Sequence, residues 1–240
     1  MDIKYSLKFF FRKFGIELRK YNINNSFDFR LKHFLKIKKI DCVFDIGANT
    51  GQYATHLRKL GYQGQIISFE PLSKEFLKLK NKSKKDKKWL AFNFGIGDIN
   101  KESLINISKN SLSSSILDMN NEHFEAEPTS KYVNNEKIYL KRLDDISELD
   151  LNNFNKIFVK IDTQGYEEQV LEGAKNILNK IEGFQLELSI YPMYKGQKLF
   201  NELYKVVEDM GFELWDLDRT FSNDDTGKIL QIDGIFFKKN

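Results

Sequence analysis

From residue 41 onward the apolar positions alternate between two spacings. Cys42-Val43-Phe44 is a short continuous apolar run, and Gln52 to Leu60 then places apolar residues at helical spacing and stops at Gly61. Runs of the first kind suit buried strands, and the 3.6-residue repeat suits helices packed on them. The pattern predicts strands over 42–46, 65–69, 89–94, 156–161, 184–188, 212–217 and 229–237. It predicts helices over 51–60, 73–82, 166–179 and 197–210, the last ended by Gly211. Two β-prone pieces, 103–107 and 137–143, fall in the long stretch between the third and fourth parallel strands. Alternating strand and helix gives an α/β fold with a mostly parallel sheet covered on both faces. The polar connection around Asp224-Asp225-Thr226-Gly227 suits a terminal hairpin that adds an antiparallel strand.

Composition adds bounds to this picture. The chain has 240 residues and is 41% hydrophobic, enough for one α/β domain with a sizeable core. A single cysteine excludes an intrachain disulfide and fits a reducing compartment. The N-terminus lacks an apolar signal core followed by a small-residue cleavage site, and no run approaches the length of a membrane span. The sequence therefore reads as that of a cytoplasmic protein.

Charge divides the chain in two. Residues 1–40 hold 11 Lys+Arg against 3 Asp+Glu, whereas residues 41–240 hold 27 against 31. The first segment is basic and the second, the expected catalytic domain, mildly acidic. In the basic segment Ile3, Leu7, Phe10, Phe11, Phe14 and Leu18 recur at helical spacing among Lys4, Lys8, Arg12, Lys13, Arg19 and Lys20. One reading is an interfacial helix that touches anionic lipid at the inner face of a membrane. The plainer expectation is a helix that packs its apolar stripe on the domain, the default for amphipathic surface helices.

Ligands of such sheets lie beyond the strand C-termini, and the chemistry-bearing residues gather there. Asp45-Ile46-Gly47-Ala48-Asn49-Thr50-Gly51 joins the first strand to the first helix of the sheet, and Glu70 ends the second strand. The Gly47 to Gly51 turn lets a ligand approach the backbone. An acidic side chain about 20 residues past the glycines accepts hydrogen bonds from ribose hydroxyls. The dinucleotide fingerprint G-x-G-x-x-G is absent, and an Asp beside the ligand disfavours a diphosphate. It favours a ligand with an ammonium and a sulfonium, and S-adenosylmethionine has both. Asp45, Gly47, Asn49, Gly51 and Glu70 are the expected cofactor residues. Asp98, after Gly95-Ile96-Gly97, is the expected acceptor for the adenine amino group; alternatively it is a turn residue bonding its own backbone.

Lys160-Ile161-Asp162-Thr163-Gln164-Gly165 ends the fourth strand. Side chains alternate along a strand, so Lys160 and Asp162 share a side. Asp162 is either a functional carboxylate with Lys160 as its charge partner or the cap of the next helix. Glu187 ends an otherwise apolar strand, where a carboxylate needs a partner and takes a raised pKa. The serine-rich run Asn110 to Met119 is either a substrate-binding loop or a solvated one. His33, His56 and His123 show no metal-ligand spacing, and Cys42 reads as a core residue. An amino-group nucleobase methylase would need an Asn/Asp-Pro-Pro-aromatic turn after the fourth strand, where this chain has Asp162-Thr163-Gln164-Gly165-Tyr166. A cytosine-C5 methylase would need a nucleophilic cysteine in a loop, and Cys42 falls in a strand.

The chain resembles the FkbM-type S-adenosylmethionine-dependent methyltransferases from about residue 15 to its end. The resemblance rests on ordered blocks: Val43 to Tyr53, Ser68-Phe69-Glu70-Pro71-Leu72, Ser113 to Leu117, Arg142-Leu143-Asp144-Asp145 and Lys160 to Glu167. It continues with Val170 to Ala174, Gln185 to Ser189 and Gln231 to Phe236. It implies a class I, Rossmann-like sheet of seven strands ordered 3-2-1-4-5-7-6. It also implies O-methylation of a hydroxyl on a small molecule or glycan, with a sugar of a cell-surface polysaccharide or glycolipid as the expected acceptor. Gln164 departs from the Asp-x-Glu-Gly turn of many members, which shifts the expected general base to Asp162, with Glu187 second. A divalent cation held by carboxylates and sugar hydroxyls is another means of activating the acceptor. The rival readings are methylation of a protein or RNA, and a nonenzymatic module that binds S-adenosylmethionine or lipid. The acidic body without an aromatic RNA-binding signature argues against nucleic acid as partner.

Overall fold

The structure, a computed structural model, describes residues 3–239, with side chains from Ser6 onward. The side chains of Ile3 and Lys4, named in the basic stripe, lie outside the described residues. Two helices precede the sheet, α1 (Ile3–Arg12) and α2 (Phe27–Ile37). The sheet begins with β1 (Cys42–Ile46), α3 (Gln52–Leu60), β2 (Gln65–Phe69), α4 (Ser73–Ser83) and β3 (Trp89–Phe92). An insertion follows, with β4 (Gly95–Ile96), β5 (Lys101–Ser108), α5 (Asn121–Ala126) and β6 (Tyr132–Lys141). The chain returns through β7 (Ile157–Ile161), α6 (Glu167–Glu172), β8 (Ile181–Ser189), α7 (Phe200–Asp209), β9 (Phe212–Ser222) and β10 (Ile229–Lys238).

The main sheet runs β3-β2-β1-β7-β8-β10-β9. Without the insertion, its strands follow the expected order 3-2-1-4-5-7-6. β10 is antiparallel to both β8 and β9. The difference lies in the insertion, where β4, β6 and β5 form a separate three-stranded sheet. The β-prone pieces at 103–107 and 137–143 are the two long strands of that sheet, paired antiparallel.

Side-chain alternation sorts the core into two layers. Phe44, Ile46, Val159, Ile161, Phe184 and Leu186 pack toward α6 and α7 with Val170, Leu171, Leu203 and Val207. Val43, Phe158, Ile235 and Phe237 pack the other way, against Leu31, Leu57 and Leu79 of α2, α3 and α4. Each fully buried aromatic or aliphatic side chain here contributes about 1.5–3 kcal/mol by leaving water.

Two expectations need correction. The helix expected over 166–179 stops at Glu172 and gives way to a 3₁₀ turn at Lys175–Ile177. Gly173 interrupts it, passing so close to the Gly97 carbonyl that a Cβ would lie 2.0 Å from its oxygen. In the basic segment, the apolar stripe does not cover core. Leu7, Phe10 and Phe14 are 51%, 55% and 67% exposed. The packed helix is α2, capped by Ser26 through Phe29 N–H, with Leu31, Phe34 and Leu35 buried. Phe34 meets Trp215 and Phe237 edge to face. The stripe stays exposed because a turn after α1 and an irregular stretch separate it from α2, which already occupies the apolar face.

Candidate active site

The turn after β1 is shaped by two left-handed residues, Gly47 (φ 76°) and Asn49 (φ 46°). A Cβ on Gly47 would fall 1.9 Å from the Asp162 carbonyl oxygen, so only glycine lets the ends of β1 and β7 lie this close. Asn is among the few other residues that tolerate this backbone region. Asn49 N–H donates to Glu70 Oε2 at 2.7 Å, and Leu72 N–H donates to Oε1 at 2.8 Å. Glu70 therefore joins the turns after β1 and β2. Burial pushes its carboxyl up to about 7 against the pull of those two amides.

A cleft opens between these turns and the second sheet. Gly47, Asn49 and Glu70 form one wall. Leu72, Ile96, Ile105, Leu140 and Tyr166 form an apolar slot, and Asp162 and Gln164 close the far end. The slot suits a flat heterocycle, and Glu70 keeps lone pairs for ribose hydroxyls beyond those used by Asn49 and Leu72. The residues present thus fit S-adenosylmethionine.

Three expected cofactor residues do not line this cavity. Asp45 lies opposite Ser68 and Lys160 in the strand register, so its side chain points across the sheet. Its Oδ2 accepts from Ser68 Oγ at 3.0 Å, and Lys160 Nζ is 3.8 Å from Oδ1. Asp45 therefore stands off the cleft, held by Ser68 and Lys160. Gly51 serves packing, since a Cβ there would meet Trp89 and Leu79 at under 3 Å. Asp98 sits outside the lining, where its Oδ1 accepts from the Tyr166 hydroxyl at 3.4 Å and its carbonyl accepts from Arg142.

The catalytic candidates belong to a polar network on the α3 side of the sheet. Asp162 accepts from Lys160 Nζ at 3.0 Å and from Gln164 Nε2 at 2.8 Å. It does not cap the next helix; Glu167 instead accepts from the Thr163 and Gly165 amides, each at 3.1 Å. Burial works against the Lys160 charge, but Asp162 and Asp45 outweigh it and raise its pKa. Lys160 is therefore a committed cation. Glu187 accepts from Gln164 Nε2 at 3.0 Å and from Gln231 Nε2 at 2.8 Å. Burial, then Asp162, Glu167 and Asp233, hold its carboxyl well above the ordinary range. The same strands carry Gln185, which donates to Asp233 at 2.7 Å and accepts from the Tyr53 hydroxyl at 2.7 Å.

Two further cavities flank this network. One, of about 680 Å³, includes Gln52, Tyr53, His56, Lys160, Asp162, Gln185 and Asp233. The other, of about 530 Å³, includes Asn110, Ser113, His123, Gln164, Glu187, Phe221 and Gln231. Leu112 lines both, and the cleft beside Glu70 as well. The serine run is thus a wall shared by all three. Asn49 Nδ2 donates to Ser111 Oγ at 3.1 Å, and Ser115 Oγ donates to the Gln164 carbonyl at 2.6 Å.

Sequence reasoning left several of these residues without a role. Gln185, Gln231 and Asp233 had a signal, being polar positions inside apolar strands. Ile105 and Leu140 had none, because their place at the cavity depends on how the second sheet packs. Among the described residues, no group of three or more His, Cys, Asp or Glu side chains is arranged to hold a metal ion.

The sequence matches the methyltransferase FkbM domain over residues 45–214. No curated protein matches it. Among solved structures the chain is similar to an FkbM methyltransferase from Methylobacillus flagellatus, at 16% identity and a TM-score of 0.48, over 81% of this chain and 43% of that one. The chain thus spans less than half that protein's length. It is also similar to a protein from Listeria monocytogenes assigned as an S-adenosylmethionine-dependent methyltransferase, at 8% identity and a TM-score of 0.50, over 88% of this chain and 100% of that one. A precorrin-6y C5,15-methyltransferase from Geobacter metallireducens is similar at 12% identity and a TM-score of 0.44, over 88% of each chain. At 8% identity the likeness to the Listeria monocytogenes protein is one of fold. The domain match carries more, because residues 45–214 take in the β1 turn, Glu70, the serine run and Asp162 through Glu187. The chain belongs to the FkbM family of S-adenosylmethionine-dependent methyltransferases.

Proposed function

We propose that the protein methylates a hydroxyl of an uncharged, polyhydroxylated acceptor, a small molecule or the sugar of a glycan, with Asp162 as the general base. The observation that carries this reading is that Asp162 lines both the cleft beside Glu70 and one of the flanking cavities. It is the carboxylate at their junction. When bound, S-adenosylmethionine supplies a methyl group on a sulfonium, which needs no further activation. The protein's part is alignment and removal of one proton. Asp162 would take the proton of the acceptor hydroxyl as that oxygen received the methyl group, with the neutral thioether as the leaving group. Lys160 and Gln164 hold that carboxylate in place. Glu187, with its raised pKa, serves as a hydrogen-bond donor to the acceptor in its neutral form, and is the second candidate base in its ionised form.

The walls of the flanking cavities support an uncharged acceptor. Gln52, Asn110, Ser113, Gln185 and Gln231 offer amides and a hydroxyl. Lys160, the cation among these walls, is already paired with Asp45 and Asp162. Glu127, Asp162 and Asp233 would repel phosphates, which weighs against RNA. The single, buried Cys42 suits a reducing, cytoplasmic setting. The test is methyl transfer from labelled cofactor to a panel of neutral glycans, phosphorylated glycans, RNA and protein, with the methylated atom located by mass spectrometry. Transfer to oxygen of a neutral glycan is expected. Transfer to nitrogen, or to RNA or protein alone, would overturn the reading.

A further inference from the structure

Helix α1 carries an apolar face that the domain leaves uncovered. At about 100° per residue, Leu7, Phe10 and Phe11 fall within one arc of about 100°, and Phe14 follows in the turn after the helix. Leu7, Phe10 and Phe14 are each more than half exposed, and the Phe10 and Phe14 rings meet edge to face 5.2 Å apart. Lys8 and Arg12 border the arc on one side, and Lys13 follows in the turn after the helix. Lys13 also lies over the Phe9 ring at 5.4 Å. Glu17, the carboxylate beside this helix, is taken by Arg12 at 3.4 Å and Arg19 at 2.7 Å. Among the described residues, Lys8, Lys13 and Lys20 form no ion pair.

We propose that α1 is an interfacial anchor that lays this face into the surface of an anionic lipid bilayer. The arrangement matches what such a surface offers. Aromatic side chains enter the boundary between head groups and acyl chains, and the cations beside the arc and in the turn after it meet lipid phosphates. Charge selects this occupant over the protein's own body. The residues after 40 are net acidic and yet leave the face bare, while α2 fills the apolar surface available to this segment. The helix is too short to cross a membrane, so it lies along the surface. The inference is independent of the acceptor assignment.

The test uses the full chain and sedimentation with vesicles of phosphatidylcholine, alone or mixed with phosphatidylglycerol. Binding is expected only with the anionic lipid, falling as salt rises. Lys8→Glu with Lys13→Glu should lower the partition coefficient by roughly 30-fold or more, from about fivefold per cation. Phe10→Ser with Phe14→Ser should lower it by about tenfold or more, with the melting temperature unchanged in both variants. Three results would overturn the proposal. One is no binding to anionic vesicles. Another is a melting temperature several degrees lower in the Phe10→Ser, Phe14→Ser variant, which would mean that the face packs on the domain. The third is a dimer that the same pair of substitutions dissociates, which would mean that a second copy covers the face.

Discussion

Gln164 joins Asp162 and Glu187 through one side-chain amide, with its Nε2 2.8 Å from Asp162 Oδ1 and 3.0 Å from Glu187 Oε2. Its Oε1 accepts from the Tyr194 hydroxyl at 2.6 Å, and its backbone is held at φ 55°. A non-glycine residue in that region stores strain, which is retained where the surroundings fix it. Removing the amide leaves two neighbouring carboxyl groups without their shared donor. Gln164→Ala should lower kcat by about 10–100-fold, the scale of one hydrogen bond to a charged group, while the cofactor dissociation constant changes little. Steady-state kinetics beside calorimetry separates the two effects.

Asp162→Asn keeps the size of the side chain and removes its basicity. Turnover should fall by about 10²–10⁴-fold, with cofactor binding largely retained. Near-normal turnover would transfer the base role to Glu187 or to a metal ion. A chelator added to the wild-type enzyme distinguishes those cases, since only metal-assisted transfer would be lost.

Glu70 predicts a linked pair of effects. Glu70→Ala removes a candidate ribose acceptor and also strands the Asn49 and Leu72 amides. Calorimetry with S-adenosylmethionine should show affinity weaker by about 1.5–3 kcal/mol, and the ligand-free protein should melt at a lower temperature. Weaker binding without loss of stability would mean that the two amides find other partners.

His123 predicts a pH dependence. It is 3% exposed, its Nδ1 has no partner among the described residues, and burial pushes its pKa from 6.5 down to about 4. Below pH 6.5 the unfolded chain takes up a proton that the folded protein refuses. Stability should therefore fall as pH drops from about 6.5 to 4, by on the order of 3 kcal/mol from this residue. His123→Phe keeps a ring against Tyr194 and cannot titrate. Urea denaturation should show the wild-type loss over this window exceeding the variant's by that amount. Equal pH slopes would remove His123 as the cause.

Much of the main sheet is legible in the sequence because its strands are short, continuous apolar runs ended by chemistry-bearing residues. Lys160-Ile161-Asp162 reads correctly as an ion pair on one side of a strand, since alternation is local. Helix α2 escapes such a reading. Its apolar residues are mixed with lysines much like those of α1, and what separates the two helices is contact with Trp215 and Phe237, far along the chain. Asp45 misleads for a related reason. Its place beside the glycine turn suggests a ligand contact, but register with Ser68 and Lys160 turns the side chain inward. The slot formed by Ile105 and Leu140 depends on the packing of two sheets, which no local pattern encodes.

That slot has a thermodynamic consequence. Ile96, Ile105 and Leu140 belong to the second sheet, whereas Gly47, Glu70 and Asp162 belong to the strand ends of the first, and all six line one cavity. A molecule filling the cavity adds contacts that bridge two separately hydrogen-bonded units. Binding should make the units open together, so that amide hydrogen exchange in β5 and β6 slows along with exchange in β1 and β7. Where exchange requires the bound site to open, ligand at a hundred times its dissociation constant would add about 2.7 kcal/mol to that opening. The cofactor would then act as cement between the sheets, giving the insertion cooperativity that its own three strands do not provide.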